Sequence, residues 1–188
     1  MELSLRDIVT MVHGMGFGVL FLLAFSGAIG VIYATAAAGE RWAATSGHIK
    51  MFRFYLITMT GLAWLTVLSG TYLVYPWYRA KPPAGTTDLT GYPQRLLLSK
   101  PLTAGWHSFG MEWKEHVSWL TPIAMTMVAY VFITYGPQIA RHKQMRNAVL
   151  GFTAAAFFAT AVAGGFGAIL DARAPVQGGS VVVLAGPK

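Results

Sequence analysis

The chain has no cysteine, and charge is scarce in it. Without a thiol there is no disulfide, no thiolate zinc site, no iron–sulfur cluster held by this chain and no covalently attached c-type haem. Any metal or cofactor must be held by histidine, methionine, carboxylate or backbone groups. Charged side chains make up 11% of the 188 residues. A soluble domain carries about 25%, so this chain lacks the charge to coat a water-facing surface. Four long blocks, 8–39, 54–78, 116–140 and 147–170, contain no Asp, Glu, Lys or Arg. A basic stripe is missing too. The net charge is +7, but the cations flank the apolar blocks instead of gathering on one face, which speaks against nucleic-acid binding.

What is present is apolar length. Each charge-free block has at least 24 residues, and a helix needs about 20 to cross a hydrocarbon layer of about 30 Å. A spanning segment must satisfy its own backbone, so the blocks read as helices. The expectation is an all-α membrane protein, a single-domain four-transmembrane-helix bundle over 1–188. The helices cover about 8–36, 48–76, 114–137 and 146–170, with an outer loop at 77–113 and a tail at 171–188. The first block is too long for the h-region of a cleavable leader, and its basic flank is only Arg6, offset by Glu2 and Asp7. It is therefore read as a mature helix.

Two short connections carry Arg41, Lys50 and Arg53, and Arg141, Lys143 and Arg146. Cations in short loops mark the cytoplasmic side. Both termini and the 77–113 loop then lie outside, in a multi-pass protein of a bacterial-type inner membrane. Tyr72, Tyr75, Trp77 and Tyr78 close the second helix, and Trp106, Trp113 and Trp119 open the third, as interfacial anchors do. The outer loop is rich in Pro, Gly and Thr, and its length points to an ordered lid or a docking surface. Within it "PQRLLLSKP" has the pattern of a short amphipathic turn on the membrane. The valines of "SVVVLAG" in the tail suit an edge strand added to a partner. Pro122 falls in the first turns of the third helix, where it is tolerated. The methionines are read as packing filler.

Intramembrane ionisable groups are costly and usually functional, which singles out the histidines. His13 lies just inside the first helix from the outer side, and His116 starts the third helix at the same height. A matched pair of imidazoles suits the two axial positions of haem b held between helices. Gly16 and Gly27 fall near the His13 face at 100° per residue and would let a flat macrocycle approach. The competing readings are a His bonded to a neighbouring helix and glycines serving helix packing. A second haem would use His48 and His142 at the inner edge, with Lys50 and Arg53 near propionates or anionic lipid heads.

The stretch "WHSFGMEWKEHVSW", residues 106–119, adds a different option. On a helix Glu112, Glu115 and His116 share a face. Glu112 and His116 can chelate a metal, with His107 closing the site from the loop, so the candidate metal ligands are His13, His116, His107 and Glu112. A carboxylate here can instead orient His116 or take a proton from a quinol. The spacing matches neither a zincin motif nor the paired di-iron pattern.

With these residues in view, the chain resembles the small four-helix membrane cytochromes b that anchor redox subunits. The resemblance rests on helix count, His13 with His116, His48 at the other edge and the glycine-rich first helix. It implies haem b, exchange with quinone, partner subunits of a redox complex and lipid contacts. The leading expectation is an electron-transfer subunit. The alternatives are a cofactor-free accessory subunit of a larger membrane complex and a membrane transporter or enzyme with a metal at the outer His/Glu cluster.

Overall fold

In hydrocarbon no water is available to a free N–H or C=O, so each apolar block closes its backbone as a helix. In a computed structural model, which describes residues 2–38, 46–139 and 141–183, four helices are long and apolar enough to cross a membrane. They run Leu5–Ala34, Gly47–Tyr78, Pro101–Gly136 and Lys143–Arg173 and are called here the first to fourth spans. The all-α four-span bundle expected from the sequence is the architecture found.

The third span departs most from expectation. It begins at Pro101, not near 114, so residues 106–119 lie inside it and not in front of it. Proline suits a first helical turn, and Leu102, Ala104, Trp106, Phe109 and Met111 continue the apolar character past Glu112, Lys114 and Glu115. The outer connection shrinks accordingly. It carries one short helix, Pro93–Leu98, whose Pro93, Gln94 and Leu97 are buried. Tyr78, Leu97, Met111, Leu170, Ala174 and Val176 form a small apolar core beneath it, so this connection is a folded cap.

The tail also differs from expectation. Val181–Val183 pairs antiparallel with Glu2–Ser4, with Ser4 opposite Val181, so the valine strand is taken by the chain's own N-terminus. Ser4 then opens the first span through a reciprocal bond pair: Asp7 N–H donates to Ser4 Oγ at 3.1 Å and Ser4 N–H to Asp7 Oδ2 at 2.8 Å. Arg6 lies 5.5 Å from the Trp77 ring centre and donates to the Gln177 carbonyl at 3.0 Å. Both described chain ends and the cap thus share one end of the bundle, the capped end. The other, the turn end, holds the two short connections; residues 39–45 of one lie outside the described residues.

The main core is built from Phe21, Ala28 and Ile32, from Phe52, Leu56, Met59 and Ala63, from Met125, Val128 and Phe132, and from Val149 and Ala156. These recur at helical spacing on each span. Lipid offers no hydrophobic penalty to exposed leucine, so close backbone approach and interhelical hydrogen bonds do much of the fastening. Thr60 Oγ1 donates to the Met125 carbonyl at 3.1 Å, Trp64 Nε1 to Thr126 Oγ1 at 3.0 Å, and Thr121 and Thr160 bond at 2.8 Å. The Tyr55 hydroxyl donates to the Ala24 carbonyl.

Regular helix fails at identifiable places. Three π-helical stretches, Val12–Val19, Gly70–Val74 and Trp106–Met111, all lie in the capped half. Pro122 sits well inside the third span, and the 3-10 turn Val117–Trp119 just before it relieves the clash with the preceding turn. Near the turn end, Tyr135 leaves helical geometry (φ −121°, ψ 16°). Pro137 has no N–H, so the Ile133 carbonyl lacks its usual i+4 donor. Arg53 of the second span supplies one, with Nη2 2.8 Å from that oxygen.

Arg53→Leu should therefore lower thermal stability in detergent by about 1–2 kcal/mol. Adding Pro137→Ala, which restores the missing N–H, should recover part of the loss. Equal losses with and without the proline would mean that Arg53 does not serve this carbonyl.

Candidate functional site

His13 lies in the π-helical stretch of the first span and is half-buried. Its Nδ1 is 3.0 Å from Ser69 Oγ on the second span. That hydroxyl donates its own proton to the Leu65 carbonyl at 2.6 Å, so it accepts from His13 Nδ1–H. The ring Cε1 lies against Gly70, where a Cβ would stand 2.7 Å away. Only glycine leaves space for the imidazole in this position.

Lys114 reaches into the same half of the bundle from the third span. Its Nζ donates to the Ala163 carbonyl of the fourth span at a long 3.4 Å and stands 2.8 Å from where a Gly167 Cβ would be. Its charge acts on the His13 ring. Among the described residues no carboxylate lies within ion-pair distance of it, and Asp171 acts on it only from farther off. Phe166 packs beside it over Gly110, flanked by Trp106, Phe109 and Trp113 at ring separations of 5.5–6.5 Å. His13 with Ser69 and Gly70, and Lys114 with Ala163 and Gly167, thus place two polar groups in the capped half of an otherwise apolar bundle.

His116 does not join it. It follows Lys114 by two residues, about 200° around the helix, and its side chain is 71% exposed. Nδ1 is 3.0 Å from the Glu112 carbonyl and 3.4 Å from Glu112 Oε2. Glu112, His116, Leu120 and Ile123 form an exposed stripe. The structure does not bring together the expected pair of His13 and His116: His116 leaves the exposed face of the third span, and Lys114 holds the inward position. This geometry does not fit a haem held by that pair. The glycines expected beside it have other roles. A Cβ on Gly27 would stand 2.5 Å from the Tyr55 hydroxyl, while one on Gly16 would meet only Val12.

His107 is likewise engaged elsewhere. Nδ1 bonds the Tyr78 hydroxyl at 2.7 Å and Nε2 lies 3.3 Å from Gln94 Nε2, so the ring pins the cap to the end of the second span. The three-ligand site of His107, Glu112 and His116 does not assemble: among the described residues no three His, Asp or Glu side chains gather to hold a metal. An unbroken α-helix would put His107 and Lys114, seven residues apart, on one face. The π-helical stretch between them shifts that phase. His48 and His142 are exposed at the turn end. His142 caps the fourth span with extended backbone (φ −108°, ψ 96°) but makes no side-chain cap bond.

The cap has its own electrostatics. Arg79 Nη1 donates to the Tyr75 hydroxyl at 2.7 Å, which raises the guanidinium pKa further. Asp88 accepts from the Thr90 N–H at 3.0 Å and hydroxyl at 2.7 Å, which lowers its carboxyl pKa. Comparison with protein-family models, with curated proteins and with solved structures found no match.

Lys114, Ser69 and Gly70 did not stand out in the sequence. The usable signal was a lysine near the centre of residues 101–136, which becomes intramembrane once that whole stretch is one helix. Gly70→Ala should destabilise the protein by about 1–3 kcal/mol through overpacking and shift the His13 ring signals in a histidine NMR spectrum. Gly61→Ala on the same span, where no atom lies within 4 Å of the new Cβ, should do neither. Matching behaviour of the two variants would remove the packing claim.

Proposed function

We propose that the chain is a membrane subunit of a redox complex and that it takes a quinone headgroup at His13, Ser69 and Lys114. The observation that carries this reading is Lys114, a cation turned into a lipid-embedded bundle with one long carbonyl bond and, among the described residues, no carboxylate within ion-pair distance. A charge in that position is expensive and is retained for use. A quinone offers two neutral carbonyl acceptors, which Lys114 and His13 are equipped to bond. One-electron reduction places negative charge on those oxygens, and an ammonium in a low-dielectric site stabilises it strongly. The aromatic rings around Phe166 suit a flat headgroup, and an isoprenoid tail belongs in the surrounding lipid.

Quinol oxidation releases two protons and two electrons. Those electrons would need one-electron acceptors on partner subunits. On this chain the resemblance to small b-type cytochromes narrows to the helix count and His13. The short connections with Arg41, Lys50, Arg53, Arg141, Lys143 and Arg146 support an inner-membrane orientation with the turn end in the cytoplasm and the capped end outside. The folded cap supports a second reading, a ligand-free scaffold for larger subunits.

Solvent extraction of the detergent-purified protein should yield close to one quinone per chain. His13→Ala and Lys114→Met should each lower that yield about tenfold while the protein still elutes as a folded species. A wild-type protein that carries no quinone, and takes none up from quinone-loaded nanodiscs, would leave the scaffold reading in its place.

A further inference from the structure

Trp113 precedes Lys114 and carries a second unused donor. Its indole Nε1 is shut off from solvent, and among the described residues nothing accepts a hydrogen bond from it. An indole N–H only donates, and a buried donor without an acceptor is costly in hydrocarbon, where no water replaces the missing partner. Elsewhere the bundle supplies that partner: Trp64 Nε1 donates to Thr126 Oγ1 of the third span at 3.0 Å. An interfacial tryptophan ordinarily turns its N–H to the wet side, but that of Trp113 is enclosed. The ring packs on the fourth span, its centre 6.4 Å from that of Phe166. The fourth span there reads Ala163, Gly164, Gly165, Phe166, Gly167, and none of these side chains has an oxygen or nitrogen to accept the bond.

Lys114 comes to the same stretch. Its Nζ is 3.4 Å from the Ala163 carbonyl and 2.8 Å from where a Gly167 Cβ would stand. Two consecutive residues of the third span therefore bring unused N–H donors to five residues of the fourth that hold no side-chain acceptor. We infer that Trp113 is a further binding residue for the headgroup taken beside Lys114, its indole N–H donating to a ligand oxygen; the identity of that headgroup rests on the quinone reading above. Both groups only donate, so the ligand must present acceptors on this side, and a carbonyl oxygen has two lone pairs to offer. Water is the competing acceptor, and it would bond the indole whether or not a quinone is present.

The test is NMR of the full chain in detergent, with ¹⁵N in the tryptophan indoles, stripped of quinone and then titrated with a short-chain ubiquinone. Of the six tryptophan signals, one should lie upfield in the stripped protein, as an unbonded N–H does. It should move downfield as quinone is added, and it should be missing from Trp113→Phe. That variant keeps an aromatic ring on Phe166 and loses the donor, so it should bind the quinone about fivefold more weakly, the effect of one neutral hydrogen bond. Trp64→Phe, which removes an N–H that already has its acceptor, should leave quinone affinity unchanged. Quinone binding by wild type with every indole signal fixed, or with Trp113→Phe binding as tightly, would overturn the role of Trp113 and leave the quinone reading standing. An indole already bonded in the stripped protein would assign water to Trp113 and overturn its role as well. Absence of any quinone binding by wild type would remove both. If Trp113→Phe fails to fold, the wild-type titration still decides.

Discussion

The constraint that shapes this molecule is that every backbone carbonyl in a lipid-embedded helix needs a donor from within the protein. Prolines break that supply, and Pro122 within the third span and Pro137 just after it show how the chain answers. Pro122 is accommodated by a tightened 3-10 turn, Val117–Trp119, within the helix itself. Pro137 is answered from outside, by Arg53 reaching across from the second span to the Ile133 carbonyl. The second solution also fixes helix against helix, because the donor and the orphaned acceptor lie on different spans. A residue that reads as a flanking charge is therefore part of the fastening of the bundle.

The same constraint explains why the polar chemistry lies where it does. In the turn half the helices interlock through Phe52, Leu56 and Phe132, with Phe52 edge-on to Phe132 at 4.7 Å. In the capped half three spans carry π-helical stretches. A π turn holds an extra residue and widens the helix, so its side chains no longer match a neighbour's grooves as ideal helices do. Polar side chains occupy the space made available: His13 against Gly70, and Lys114 against Gly167. In the capped half the π-helical stretches and the inward ionisable groups His13 and Lys114 therefore occur together.

Four spans, their connections and the shared end of the termini were legible because they depend on runs of charge-free residues, and such runs survive any detail of packing. His13 stood out on the same ground, as an ionisable group within a charge-free run. What failed had a different cause. The start of the third span was obscured by treating Glu112, Lys114 and Glu115 as a boundary, when Lys114 points inward and Glu112 lies on the exposed stripe. The partner of His13 was misjudged because equal depth says nothing about rotation. Inward and outward faces are set by the neighbouring spans, and a π-helical or 3-10 segment shifts the phase that a helical wheel assumes. The tail strand was readable as a strand from Val181–Val183, but its partner was Glu2–Ser4, a segment too short to carry a pattern.

The exchange of His116 for Lys114 as the inward residue changes the chemistry available to the bundle. Two facing imidazoles are metal ligands, whereas an ammonium beside an imidazole is a pair of donors for oxygen. A donor pair needs an acceptor between helices, and the Ala163 carbonyl at 3.4 Å from Lys114 meets only a small part of that need, since an ammonium has three donors. A small oxygen-bearing ligand satisfies the remainder without adding a fixed negative charge to the bundle. A permanent carboxylate would close the site as a structural ion pair. Among the described residues no carboxylate lies within ion-pair distance of Lys114, which on the proposed quinone reading keeps its donors available to the headgroup.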